Sequence, residues 1–315
     1  MQFRGQGKPS LGVIFDSDMG SRVETALALA VLYGLDGKNE CRVVSISSSR
    51  TSLLSAAYCE VVGRYYAGAV SAAFGATSRT LPVGLAADGK IPGETPLLTT
   101  PLGRKNPDGS IVYQHGIEKL IDTAEPHGLI RNAFTAQHDQ NAAVVLAGPP
   151  LNLLKVLSLP GTKELIAAKV KYLICSSPLA AKELEAAGWP SPIISVSPSV
   201  GSSVLFPAST LTKEFAEFPA HPVADALRVK SQDSPTGELA AVLYAVRSTD
   251  KAFALSEPVG NTRQLMLEPA EKERLLASYI ELATAKPVVR QPRFRRPVVE
   301  EPKKPDAPKA EPSKP

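Results

Sequence analysis

Leu11-Gly-Val-Ile-Phe-Asp-Ser-Asp-Met-Gly-Ser-Arg-Val-Glu-Thr-Ala-Leu-Ala-Leu-Ala30 changes its periodicity halfway along, and that change decides the fold. Residues 11–16 are an apolar run that ends in an acid, the pattern of a strand buried on both faces. From about Val23 the Ala- and Leu-rich pattern predicts a helix. The turn between them carries Asp16 and Asp18. Strand, turn and helix in that order open a parallel α/β sheet, and such sheets place ligands beyond the carboxyl ends of their strands. Two carboxylates there, facing a helix N-terminus, suit a hard cation with oxygen ligands or a water activated by one. A structural role stands beside that reading: Asp16 capping the turn and Asp18 accepting a backbone N–H.

The alternation continues outward from this unit. Apolar runs predict strands at 11–16, 42–48, 81–85, 142–147, 170–175 and 192–197. Helical patterns fall at 23–35, 52–67, 116–124, 149–158, 179–187, 221–230, 236–247 and 269–284. Near-continuous apolar strands such as Ala142-Ala-Val-Val-Leu-Ala imply helices on both faces. The expected fold is therefore α/β, a mostly parallel central sheet flanked by helices and joined by right-handed crossovers. Residues 86–115 are rich in Gly, Pro and Thr and read as a long functional or mobile loop.

With 315 residues and 43% hydrophobic content, the chain can build one large core. The expected division is an α/β domain over 1–286 and a disordered tail over 287–315, where Pro recurs every few residues. The tail holds eight Lys or Arg and four Asp or Glu, which accounts for the net charge of +4 and leaves 27 basic and 27 acidic residues in the body. A neutral body gives no sign of a nucleic-acid surface. The block Arg290, Arg293, Arg295, Arg296 could contact an anionic partner, and a solubilising tail is the plainer reading. Cys41, Cys59 and Cys175 form no metal-binding spacing and read as small buried hydrophobes in a reducing, cytoplasmic setting. The N-terminus, Met1-Gln-Phe-Arg-Gly-Gln-Gly-Lys-Pro9, has no apolar signal core, and no later run approaches the eighteen apolar residues of a membrane span, so secretion and membrane spanning are not expected. His115, His127, His138 and His221 each lie near a turn or helix end, where capping or solvation is expected. Asn152 either caps its helix or contacts a ligand, the cap being the expected role, and Lys155 is expected to be a surface lysine.

Four stretches, in order, resemble the inosine/uridine-preferring nucleoside hydrolases. The segment from Phe15 to Leu29 is similar to that family's Asp-Thr-Asp-Met-Gly signature. Ala142 to Leu154 is similar to its Thr-Gly-Pro-Leu-Thr-Asn-Leu strand–loop–helix, and Trp189 to Gly201 to its Trp-Pro-x-Pro-Ile strand. Glu238-Leu-Ala-Ala-Val-Leu-Tyr is similar to its Asp-Leu-Ala-Ala-Val-Leu-Tyr helix. The resemblance spans roughly residues 11–262. It implies that family's fold and hydrolysis of the N-glycosidic bond of a nucleoside or related ribosyl molecule. A bound Ca²⁺ holds the ribose hydroxyls and a water in that chemistry, and an aspartate takes a proton from the water. By this resemblance Asp16 is the catalytic base, with Asp18, Glu24, the Leu151 carbonyl and Glu238 as metal ligands. It also implies a homo-oligomer.

The chain departs from the pattern in places that bear on chemistry. The family's paired aspartates at the first helix are Glu24 and Thr25 here, so one charge is lost. Gly237 stands where many members carry a histidine used as leaving-group acid. After Cys175 the chain passes through Ser176 and Ser177 into a helix, without the Met-Gly-Gly turn and Glu-Phe-Asn loop that hold ribose in the family. Asp16-x-Asp18 also resembles the start of haloacid-dehalogenase-like phosphatases, but no Gly-Asp-x-x-x-Asp follows. No GxGxxG, GxSxG or HExxH is present. Two functions stay open: a nucleoside hydrolase with an altered metal site, or a catalytically inactive binding or scaffold protein on the same fold.

Overall fold

A computed structural model describes residues 10–67, 81–86 and 93–287. The expected disordered tail, except for Pro287, lies outside the described residues. The first unit forms as its pattern requires: β1 (Leu11–Ser17), a turn, then α1 (Val23–Gly37). There follow β2 (Cys41–Ser48), α2 (Leu53–Ala67), β3 (Val83–Leu85), α3 (Pro96–Leu102), α4 (Pro126–Thr135) and β4 (Ala142–Ala147). Next come α5 (Leu151–Leu157), α6 (Thr162–Lys169), β5 (Val170–Cys175), α7 (Pro178–Ala186), β6 (Ile193–Val196) and α8 (Pro198–Ser203). The chain then makes β7 (Leu205–Phe206), α9 (Pro222–Lys230), β8 (Ser234–Pro235), α10 (Gly237–Val246), β9 (Phe253–Leu255), β10 (Thr262–Leu267) and α11 (Lys272–Ala283).

Among the described residues, eight strands form one sheet in the order β3-β2-β1-β4-β5-β6-β10-β9. All neighbours pair in parallel except β9 with β10. The chain builds outward from β1 through β2 to β3, then returns to place β4 on the other side of β1. That reversal opens a crevice at the carboxyl ends of β1 and β4, because helices leaving the two strands diverge there.

Helices cover both faces and make two cores. One contains α1, α2, α9, α10 and α11, and the other α4 to α7. Every residue of α1 from Val23 to Leu35 is buried, and apart from Glu24 and Thr25 in the first turn the stretch is apolar, so the helix is enclosed by its neighbours. Gly34 permits the closest of these contacts, since a Cβ there would lie 2.4 Å from the Leu282 carbonyl oxygen of α11. The three cysteines are free and buried, as their apolar settings implied. No helix among the described residues is long and apolar enough to cross a membrane.

Two expectations need correction. The helix expected at 116–124 is only a 3-10 turn, Leu120–Asp122, whose Asp122 carboxylate folds back to accept the N–H groups of Glu118 and Lys119. The helix starts later, at Pro126, where the Glu125 side chain accepts from His127 and Gly128. The segment 86–115 is not loop throughout, for Pro96 opens α3 within it, and residues 87–92 lie outside the described residues. The hairpin of β9 and β10 at the sheet edge and the short helices α6 and α8 were not expected at all.

Gly34→Ala should lower the urea midpoint with an unchanged m-value, a loss of about 1–3 kcal/mol from overpacking against the Leu282 carbonyl. An unchanged midpoint would mean that α1 and α11 can part without cost.

Candidate functional site

The crevice is built from the turn after β1. Gly20 has φ +100°, and a Cβ on it would strike the Leu98 side chain at 2.6 Å, so α3 sits directly on the turn. On the other side, a Cβ on Gly148 would lie 2.7 Å from the Asp18 backbone nitrogen. Both glycines let neighbouring elements approach the acidic turn.

Asp16 is fully buried at the end of β1. Ser47 is its lateral neighbour on β2 and donates from Oγ to Asp16 Oδ1 at 2.6 Å. Asn152, on α5, donates from Nδ2 to the same oxygen at 2.8 Å. Asp16 Oδ2 is buried with no partner among the described residues. Burial pushes the Asp16 carboxyl up to about 7, the two hydrogen bonds oppose the rise, and the negative charge of Asp18 adds to it. Asp18 is also raised by burial, against the pull of the Ser21 hydroxyl, Arg22 and Arg50. Its Oδ1 is buried and lacks a partner.

Arg50 braces the turn from the far end of β2. Its Nη2 donates to Ser21 Oγ at 2.6 Å and its Nη1 to the Gly93 carbonyl at 2.8 Å. Thr95 adds a bond from Oγ1 to the Gly20 carbonyl at 2.7 Å. These contacts lace residues 93–95 to the acidic turn.

Glu24 and Glu238 meet where α1 and α10 begin. Glu24 Oε1 accepts the backbone N–H of Glu238 at 2.8 Å, so it acts as a remote cap for α10 and complements that helix's dipole. Glu238 Oε1 accepts from the Arg22 Nη2, and its Oε2 is buried without a partner. Burial pushes Glu238 up to about 8, with Arg22 opposing and Glu24 adding to the rise. The Arg22 charge also acts on Asp18 and Glu24. Gly201 and Gly237 let the segments carrying this pair approach, since a Cβ on Gly201 would lie 3.0 Å from the Gly237 nitrogen.

The structure thus gathers the candidate residues into two adjoining groups. Asp16 and Asp18 share the turn, and Leu151 sits at the first position of α5 beside Asn152, on the same floor. Glu24 and Glu238 share Arg22 and the start of α10. Among the described residues, no set of three or more His, Cys, Asp or Glu side chains is arranged to hold a metal ion. The donor set is a poor match for calcium: Glu24 Oε1 accepts a backbone amide, Glu238 Oε1 pairs with a guanidinium, and the buried Thr25 brings no charge. The connection from β5 to α7 is Ser176 and Ser177 alone, so no ribose-holding loop follows that strand.

Asn152 is not a helix cap. No side chain caps α5, whose N-cap position is Pro150, and Asn152 turns instead to Asp16. His221 caps as expected: it is buried at the N-cap of α9, where its Nδ1 accepts the Ala224 N–H. Sequence reasoning also missed Ser47, Arg22 and Arg50. A signal existed for Ser47 in the run of serines that ends an otherwise apolar strand, and for Arg22 in a charge immediately before an all-apolar helix.

No family model matches the chain, and no curated protein matches it. Its fold is that of solved nucleoside hydrolases. A purine-preferring ribonucleoside hydrolase from Gardnerella vaginalis matches with TM-score 0.62 at 14% identity, covering 87% of this chain and 98% of that one. An inosine-uridine preferring nucleoside hydrolase from Bacillus anthracis matches with TM-score 0.60 at 11% identity, covering 87% and 99%. The type III effector XopQ, solved in complex with adenosine diphosphate ribose, matches with TM-score 0.64 at 11% identity, covering 89% and 95%. Likeness at these identities establishes the α/β architecture.

A carboxyl group raised by burial favours its protonated form in the folded state. The Asp16 contribution to stability is therefore full below its ordinary value of 3.8 and is lost as pH rises through about 7. Asp16→Asn keeps an oxygen for Ser47 and Asn152 and removes the titration. Its free energy of unfolding should exceed the wild-type one at pH 8 by up to about 4 kcal/mol, read by urea denaturation, and the gap should close toward pH 4. A gap that does not vary with pH would show that Asp16 does not titrate in this way.

Proposed function

We propose that this chain binds the ribosyl part of a nucleoside or related small molecule at the carboxyl end of β1, and that it does not carry out calcium-dependent glycoside hydrolysis. One observation carries the reading. Asp16 Oδ2 and Asp18 Oδ1 are buried acceptors without protein partners, on one turn at the switch point of the sheet. Unsatisfied buried acceptors cost free energy, and a pair of sugar hydroxyls supplies the two donors they lack. Asn152 and Ser47 hold the Asp16 carboxyl in a fixed orientation, so little reorganisation accompanies binding. The nucleoside-hydrolase fold, including a neighbour solved with adenosine diphosphate ribose, supports a ribosyl ligand. The two-residue β5–α7 connection and the arginine among the carboxylates speak against the family's hydrolytic step.

A second reading has one observation in its favour. With its carboxyl poised near 7 and one oxygen free, Asp16 has the properties of a general base near neutral pH. It would take a proton from water attacking the anomeric carbon as the bond to the base breaks.

Isothermal titration calorimetry with inosine, uridine and adenosine diphosphate ribose decides between binding and no binding. A riboside should bind, and its 2′-deoxy counterpart should bind about 10-fold or more weakly, because the missing hydroxyl leaves a buried carboxylate unpaired. Asp18→Asn should weaken riboside binding by a similar factor. Failure of every riboside to bind would end the proposal, and release of free ribose on incubation would favour the second reading.

A further inference from the structure

We infer that Arg22 is the resident cation of the carboxylate cluster, its guanidinium supplying the positive charge that the fold's resemblance assigns to a divalent ion, so that the site is complete without calcium. Three observations converge on this residue.

Its contacts come first. Arg22 Nη2 donates to Glu238 Oε1, and the same guanidinium acts on Asp18 and Glu24. The Glu238 side chain is 2% exposed and that of Arg22 49%, so the acid is sunk in the protein while the base reaches in from the rim. Such reach suits a long, permanently charged side chain whose stem can lie along apolar surface.

Its position in the chain is the second observation. Arg22 stands at the N-cap of α1 with extended backbone, and it makes no side-chain capping bond. Short polar acceptors are favoured at that position, where they accept the free N–H groups. A cation there is also opposed by the positive end of the helix dipole. The helix therefore gains nothing from an arginine at this point, and three nearby acids are what make it tolerable.

The commitments of the other ligands are the third. Glu24 accepts the Glu238 N–H, Thr25 is buried and neutral, and no metal-holding set of side chains exists among the described residues. A divalent ion brought to the Glu238 carboxylate would meet the charge of Arg22, already paired with Oε1, at close range. Calcium affinity follows the number of charged oxygen ligands, and Thr25 supplies no charge here.

The test uses the purified full-length chain without any riboside, so its failure is distinct from a failure of ribosyl binding. Thermal unfolding is followed in EDTA and in millimolar calcium for wild type, Arg22→Lys, Arg22→Met and the double variant Arg22→Met/Glu238→Gln. Wild type should show the same midpoint in both media and no heat of calcium binding in a calorimeter. Arg22→Lys should stay close to it. Arg22→Met should melt roughly 3–10 °C lower in EDTA and regain part of that in calcium, because an uncompensated carboxylate is left buried. The double variant should recover most of the loss, since removing both partners leaves no charge stranded. If Arg22→Met does not fold, folding of the double variant supports the inference, and failure of both to fold overturns it in favour of a packing role. Micromolar calcium binding by wild type, or an Arg22→Met midpoint equal to that of wild type in EDTA, also overturns it.

Discussion

Burying a carboxyl group costs free energy unless a charge or a set of hydrogen bonds answers it. Four such groups lie together at one end of this sheet, and the arrangement around them follows from that cost. Asp16 is answered by Ser47 and Asn152, Asp18 by the Ser21 hydroxyl and the field of two arginines, Glu24 by the start of α10, and Glu238 by Arg22. The answers come from several elements, with Arg22 serving both Asp18 and Glu238. The acids thereby tie β1, β2, α1, α5 and α10 to one another at the point where the sheet reverses its order.

The compensation is incomplete in a patterned way. Burial pushes all four acids toward protonation, but only Asp16 Oδ2, Asp18 Oδ1 and Glu238 Oε2 are left buried without hydrogen-bond partners. Glu24, whose Oε1 is occupied by an amide, does the most for architecture. A single cluster thus divides into a part that holds the fold together and a part that retains unused hydrogen-bonding capacity, the division expected where stability and ligand binding meet.

Much of the architecture was legible in the sequence because burial on both faces writes itself as long apolar runs. Ala142 to Ala147 and Val170 to Cys175 could scarcely be anything but central strands, and Val23 onward could only be an enclosed helix. The edge was harder to read. In β10, Thr262 to Leu267, half-exposed and exposed side chains dominate, so the apolar signal that marks a central strand is missing. The expected helix at 116–124 failed for a local reason, the competition of the Asp122 carboxylate for backbone amides. At the site, Asp16 and Asp18 were legible from their place at the end of a strand. Ser47 and Asn152 were not, because their roles depend on strand register and on which way a side chain turns from α5. Glu24 was read as a ligand by resemblance alone, and its contact with α10 spans 214 positions, a distance that no local pattern reports.

That same span has a consequence for how the protein is made. The partners that enclose α1 include α9, α10 and α11, all drawn from the last third of the described chain. At ribosomal rates of about 5–20 residues per second, the roughly 200 residues between them take on the order of 10–40 s to synthesise. Through that interval a largely apolar helix, with a glutamate at its head and no amide for it to bind, has left the ribosome before its enclosure exists. The nascent chain is therefore a client for whatever shields hydrophobic segments during synthesis, and the acidic crevice is among the last parts of the molecule to close.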